Sequence, residues 1–108
     1  MSAVQSLTTQ NFDEIIQSQP IVVVDFWAQW CSPCRVFGET MAEVAKHYPD
    51  VLFASVNVET EKELAEEFAV RSIPFVMVIH NQTVVYAESG VLSVQGLSEL
   101  IDQARALK

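Results

Sequence analysis

The stretch Ile21-Val22-Val23-Val24-Asp25-Phe26-Trp27-Ala28 restricts the fold of this chain more than any other. It is β-branched and aromatic, and it is apolar at odd and even positions alike, so neither face of the strand it forms suits water. A strand of that kind belongs in the middle of a sheet with both faces covered. The interruption, Asp25, puts a carboxyl into the most apolar part of the chain. It could be a structural polar residue bonded to backbone. The cost of burying a carboxylate in a strand favours a functional role instead.

The segments around this strand read as alternating elements. Residues 10–17 carry Phe12, Ile15 and Ile16 at helical spacing, and residues 33–48 carry Phe37, Met41, Val44, Ala45 and Tyr48. Residues 51–58 read as a second strand, followed by an acidic helical stretch with Leu64, Ala65 and Phe68 on one face. A β-α-β crossover of this kind makes its two strands parallel and right-handed. Further on, Phe75–Ile79 and Val84–Ala87 flank His80-Asn81-Gln82-Thr83 and predict an antiparallel hairpin. Gly90 breaks the chain, and a last amphipathic helix carries Leu97, Leu100, Ile101, Ala104 and Leu107. With a short strand near residues 3–6, the expectation is an α/β fold. Its central mixed sheet has four to five strands, flanked by about four helices, in one domain over residues 1–108.

Fourteen Asp plus Glu against six Lys plus Arg give a formal net charge of −8. Nucleic-acid and anionic-membrane surfaces draw on clustered Lys and Arg, so both classes of partner are disfavoured. The acidity is expected to keep the protein soluble and monomeric. Met1 to Ser6 hold no basic residue and no apolar h-region, and the run Ile21–Val24 is far too short to span a bilayer. A cytoplasmic location is therefore expected.

The cysteines are Cys31 and Cys34, and there are no others. A disulfide closing so small a loop adds little stability, so the pair points to chemistry. Cys31 follows the buried strand and opens a helix, at the carboxyl end of the sheet where ligands usually bind. At a helix N-terminus, unpaired backbone N–H groups and the macrodipole favour a thiolate. Cys34 lies one turn inward, within reach of a mixed disulfide on Cys31. Pro33 in the first turn removes no intrahelical donor and stiffens the loop.

Phe26-Trp27-Ala28-Gln29-Trp30-Cys31-Ser32-Pro33-Cys34, followed by Arg71-Ser72-Ile73-Pro74 and by Gly90, resembles the thioredoxin family over essentially the whole chain. The resemblance implies the thioredoxin fold and a protein-disulfide reductase working by dithiol–disulfide exchange. In that family pattern Cys31 is the attacking nucleophile and Cys34 the resolving thiol, while Asp25 lies beneath them and accepts or relays the Cys34 proton. Pro74 is expected to be cis and to face the disulfide. Trp30, Ile73, Gly90 and Val91 would line an apolar docking surface with Pro74, and Trp27 and Pro33 would support the loop. The implied partners are disulfide-containing target proteins and a thioredoxin reductase that draws on NADPH. No bound cofactor is implied.

Several positions depart from the pattern. Ser32 replaces the usual Gly between the cysteines, and Ser55 stands where the family usually carries a Lys beside the buried Asp. Without that cation, burial is expected to raise the Asp25 pKa. Glu39 occupies a position often held by a helix-kinking Pro, and Ser72 and Ser89 differ from the usual substrate-face residues. A C-x-x-C pair can also be half of a zinc site, but the other ligands would have to be His47, His80 or carboxylates. Both histidines are expected at the surface. Glu59, Glu61, Glu63, Glu66 and Glu67 are expected to form the solvated face of a helix. Two rivals to the reductase remain: an oxidase or isomerase on the same fold, and a binding or chaperone module in which the thiols are dispensable.

Overall fold

The computed structural model describes residues 3–107, so the two ends of the expected domain, 1–2 and 108, lie outside the described residues. The elements are β1 (Val4–Ser6), α1 (Phe12–Gln17), β2 (Ile21–Trp27), α2 (Ser32–Ala45), β3 (Leu52–Asn57), α3 (Lys62–Glu67), β4 (Phe75–His80), β5 (Thr83–Ser89) and α4 (Val94–Arg105). One five-stranded mixed sheet has the order β1-β3-β2-β4-β5. The doubly apolar strand β2 lies at its centre, parallel to β3 and antiparallel to β4.

The two faces of β2 divide the core. Ile21 and Val23 pack with Phe37, Met41 and Val44 of α2 and with Leu97, Ile101 and Ala104 of α4. Val22, Val24 and Phe26 point the other way, into a cluster with Phe12 and Ile16 of α1, Leu64 of α3, and Val56, Met77 and Ile79. Strand alternation therefore puts Asp25 on the Val23 side, towards α2. Ser55, its partner across the β2–β3 register, lies on the same face.

Local chemistry sets the connections. Asn81 and Gln82 both have positive φ, 49° and 69°, as a two-residue type I′ turn requires, so the hairpin forms without the favoured Asn-Gly pair. The β4–β5 register shifts at Val78/Ile79, where Val78 pairs Tyr86 and Ile79 pairs Val84, leaving Val85 as a bulge. Helix α3 closes with Ala69 at φ 54°, and the Val70 N–H bonds back to the Ala65 carbonyl at 2.9 Å. That left-handed stop turns the chain towards Arg71–Pro74.

Beyond shifts of a residue or two at element ends, the structure corrects the sequence expectation at both long helices and in the acidic run. Helix α2 ends at Ala45, and residues 46–48 continue as tight turns with His47 N–H bonded to the Val44 carbonyl at 2.9 Å, which keeps Tyr48 buried. Leu107 lies beyond α4 and is exposed. The acidic run is not one helical face, because α3 spans only Lys62–Glu67. Glu61 at its N-terminus instead accepts the Thr9 N–H at 2.9 Å, a bond that holds its carboxyl below the usual carboxylate range. His47 is exposed and lies 3.8 Å from Glu43, whereas His80 is half-buried at the end of β4.

Candidate active site

Strand β2 ends at Trp27, and the chain turns over Ala28–Trp30 before α2 begins. Cys31 occupies the N-cap in an extended conformation (φ −92°, ψ 105°), and its Sγ accepts the Cys34 N–H at 3.2 Å. A sulfur thus fills the capping role usually taken by a Ser, Thr or Asp oxygen. Pro33 sits in the first turn, where its missing N–H costs no helical bond. Cys31 and Cys34 are joined in a disulfide with Cα atoms 5.2 Å apart. Exposure does not separate the two sulfurs' roles, since Cys31 is 4% and Cys34 3% exposed. Position differs: Cys31 is the N-cap of α2, where donors and dipole favour a thiolate, and Cys34 lies within the first turn.

Asp25 is 3% exposed, and its Oδ1 has no hydrogen-bond partner among the described residues. Burial without a compensating cation pushes its pKa from 3.8 up to about 7. Asp25 lines a pocket of about 390 Å³ with Cys34, Ser55, Gly38 and Met41. Arg35 also lines this pocket, with its guanidinium donating to the Gln29 carbonyl at 3.3 Å. The short Ser55 side chain leaves the carboxyl without a neighbouring charge at that register position, as the departure from the family pattern predicted.

On the other side of the disulfide, the Ile73–Pro74 peptide is cis, and the Ile73 carbonyl oxygen lies 3.9 Å from Cys31 Sγ. Trp27 and Ile73 pack against the cluster of Ala28, Cys31 and Cys34. Trp30 is 69% exposed and shares a second pocket, about 380 Å³, with Val58, Val70, Arg71, Ser72 and Ile73. Pro74, Gly90 and Val91 do not line that pocket. Pro74 is buried, and its carbonyl accepts the Gly90 N–H at 2.9 Å, while Val91 is exposed. Gly90 has φ +126°, which suits glycine alone. Val58 and Val70 escaped the sequence reading because each follows an element end and carries no motif. No three ligating side chains converge among the described residues.

The thioredoxin family model matches residues 3–103. The chain belongs to the thioredoxin family. It is 39% identical over 107 residues to a protein described as putative thioredoxin 2 of Streptomyces coelicolor, covering 99% of this chain and 80% of that one. A thioredoxin of Buchnera aphidicola from Acyrthosiphon pisum is 34% identical over 105 residues, covering 95% and 97% of the two chains. Thioredoxin f of spinach chloroplast superposes with a TM-score of 0.88 at 28% identity, over 97% of this chain and 96% of that one. Family membership and the Cys31–Cys34 pair make this protein a thiol-disulfide oxidoreductase, an activity that needs no prosthetic group.

Proposed function

We propose that the protein reduces disulfides in target proteins, with Cys31 as nucleophile and Cys34 as resolving thiol. The Cys31 thiolate attacks one sulfur of the target disulfide, forming a Cys31–target disulfide and releasing the other target sulfur as a thiolate. The Cys34 thiolate then attacks Cys31 Sγ, closes the Cys31–Cys34 bond and expels the second target sulfur. Two electrons pass to the target, which takes up two protons. The observation that carries this reading is the Cys34 N–H bonded to Cys31 Sγ at the N-cap of α2.

Asp25 is the base for the second step in this proposal. A carboxyl with a pKa of about 7 is poised to accept the proton of a thiol whose ordinary pKa is about 8.5. The pocket at Ser55 gives that carboxyl room for water. Trp30, Ile73, Pro74, Gly90 and Val91 form the docking surface, with Trp27 and Pro33 supporting the loop. Residues 1–108 act as one domain and as a monomer in the cytoplasm. An NADPH-dependent thioredoxin reductase restores the dithiol, so the protein carries electrons that keep cellular thiols reduced.

Single-cysteine variants test the division of labour. Reduced Cys34→Ser protein mixed with a disulfide-bearing protein should accumulate a mixed disulfide through Cys31, seen as a reducible adduct by mass spectrometry. Cys31→Ser protein should form little or none. Equal adducts from both variants would sink the assignment.

A further inference from the structure

Two serines that depart from the family pattern meet beside the active site although 17 residues separate them. The Ser72 hydroxyl donates to Ser89 Oγ at 2.9 Å, and the Ser89 hydroxyl donates to the Ser72 carbonyl at 3.0 Å. Every proton in this ring has an acceptor. Two residues after Ser72 and one after Ser89, the Gly90 N–H donates to the Pro74 carbonyl at 2.9 Å. The Ile73–Pro74 segment is therefore tied to the end of β5 on both sides, at the point where Phe75 and Ser89 are register partners. The Ile73 carbonyl between those ties is the backbone group facing Cys31 Sγ.

We propose that Ser89 is a positioning residue for protein targets. By holding the Ser72 carbonyl, it fixes the backbone edge along which an extended target segment lies while its disulfide meets Cys31. This inference rests on the docking surface proposed above. A target protein must align several residues with the Ile73 edge, so misplacing that edge weakens docking. A small disulfide presents only its sulfur atoms and does not use the edge. The latch thus favours disulfides in extended protein segments over small free ones.

The two hydroxyls are not equivalent. Ser89→Ala removes both bonds, because Ser89 is donor in one and acceptor in the other. Ser72→Ala leaves the Ser89 bond to the Ser72 carbonyl in place. The test compares reduction of insulin with reduction of hydroxyethyl disulfide, using dithiothreitol to recycle the enzyme. Ser89→Ala should raise KM for insulin about three- to tenfold, as loss of exposed hydrogen bonds implies, with kcat nearly unchanged. Its rate on hydroxyethyl disulfide should stay within about twofold of the parent. Ser72→Ala should have the smaller effect, Ser89→Thr should restore the insulin KM, and adding Ser72→Ala to Ser89→Ala should cost nothing further. A parental insulin KM in Ser89→Ala, equal losses on both substrates, or a larger effect from Ser72→Ala would overturn the proposal. Ile73→Glu separates the two levels: if it leaves the insulin KM unaltered, the docking surface itself is wrong. If it raises KM while Ser89→Ala does not, only the latch fails.

Discussion

The two sides of the Cys31–Cys34 disulfide are hollowed to nearly the same volume, about 380 Å³ in front and 390 Å³ behind, yet they differ in chemistry. The front is built from Trp30, Val58, Val70 and Ile73, with Arg71 as its charged residue. The rear holds Asp25, a carboxyl buried in the sheet whose Oδ1 has no partner among the described residues. An apolar front suits side chains arriving on another protein. A buried acid behind suits a proton that must leave the inner sulfur. The helix terminus supplies the polarity between them, placing Cys31 at the donor end, while Cys34 and Asp25 line the same rear pocket. In the proposed mechanism the disulfide meets a protein target on one side and passes its proton to Asp25 on the other.

The largest expected effect that separates the sides comes from the rear. With Asp25 at about 7 in the folded state against 3.8 ordinarily, the unfolded chain ionises first as pH rises. The stability contributed by the neutral carboxyl is fully present below about pH 4, declines as pH rises and levels off above about pH 7 at a loss of about 4 kcal/mol. Asp25→Asn should abolish that decline. Denaturant unfolding of the oxidised protein across this range should show the variant increasingly more stable than the parent towards alkaline pH. Parallel profiles would contradict the account of a strained acid.

Ser55→Lys sharpens the same side more gently. An ammonium in the rear pocket should stabilise the Asp25 carboxylate and lower its titration midpoint by at least about one pH unit, read from the carboxyl carbon by NMR. An unmoved midpoint would mean that burial alone, and not the missing cation, governs this acid.

The smallest effect belongs to the front. Trp30→Ala should raise KM for a protein disulfide about three- to tenfold. Because Trp30 is 69% exposed, stability should change by no more than about 0.5 kcal/mol, and the alkaline decline should persist. A variant that altered the pH profile would show that front and rear are not separable.

Much of this division could be read from residues close together in the chain. The doubly apolar β2 marked the sheet centre and the C-x-x-C spacing marked a helix start, whereas the expectation of Asp25 beneath the thiols came from the family resemblance. The less legible parts depend on long-range register. Ser72 meets Ser89 only because the I′ turn at Asn81-Gln82 and the bulge at Val85 set how β4 pairs with β5. The rear pocket joins Ser6 of β1 and Gly38 of α2, which carry no motif, to Ser55 of β3, which the family comparison had already placed beside Asp25, and they come together through the strand order β1-β3-β2. Glu61 illustrates the same limit, since its acceptor role for Thr9 requires two loops 52 residues apart to meet. Tyr48 kept its helical spacing to the core while the helix stopped at Ala45, because tight turns preserve the facing for one more step.

The equilibrium reduction potential of the Cys31–Cys34 pair tests the central claim most directly. It is titrated against defined thiol buffers at neutral pH and followed through Trp27 and Trp30 fluorescence. The account predicts a strongly reducing pair, close to the value of about −270 mV established for thioredoxin. A potential nearer the range of about −180 to −120 mV, typical of isomerases and oxidants, would contradict it and assign the same fold to disulfide formation or rearrangement.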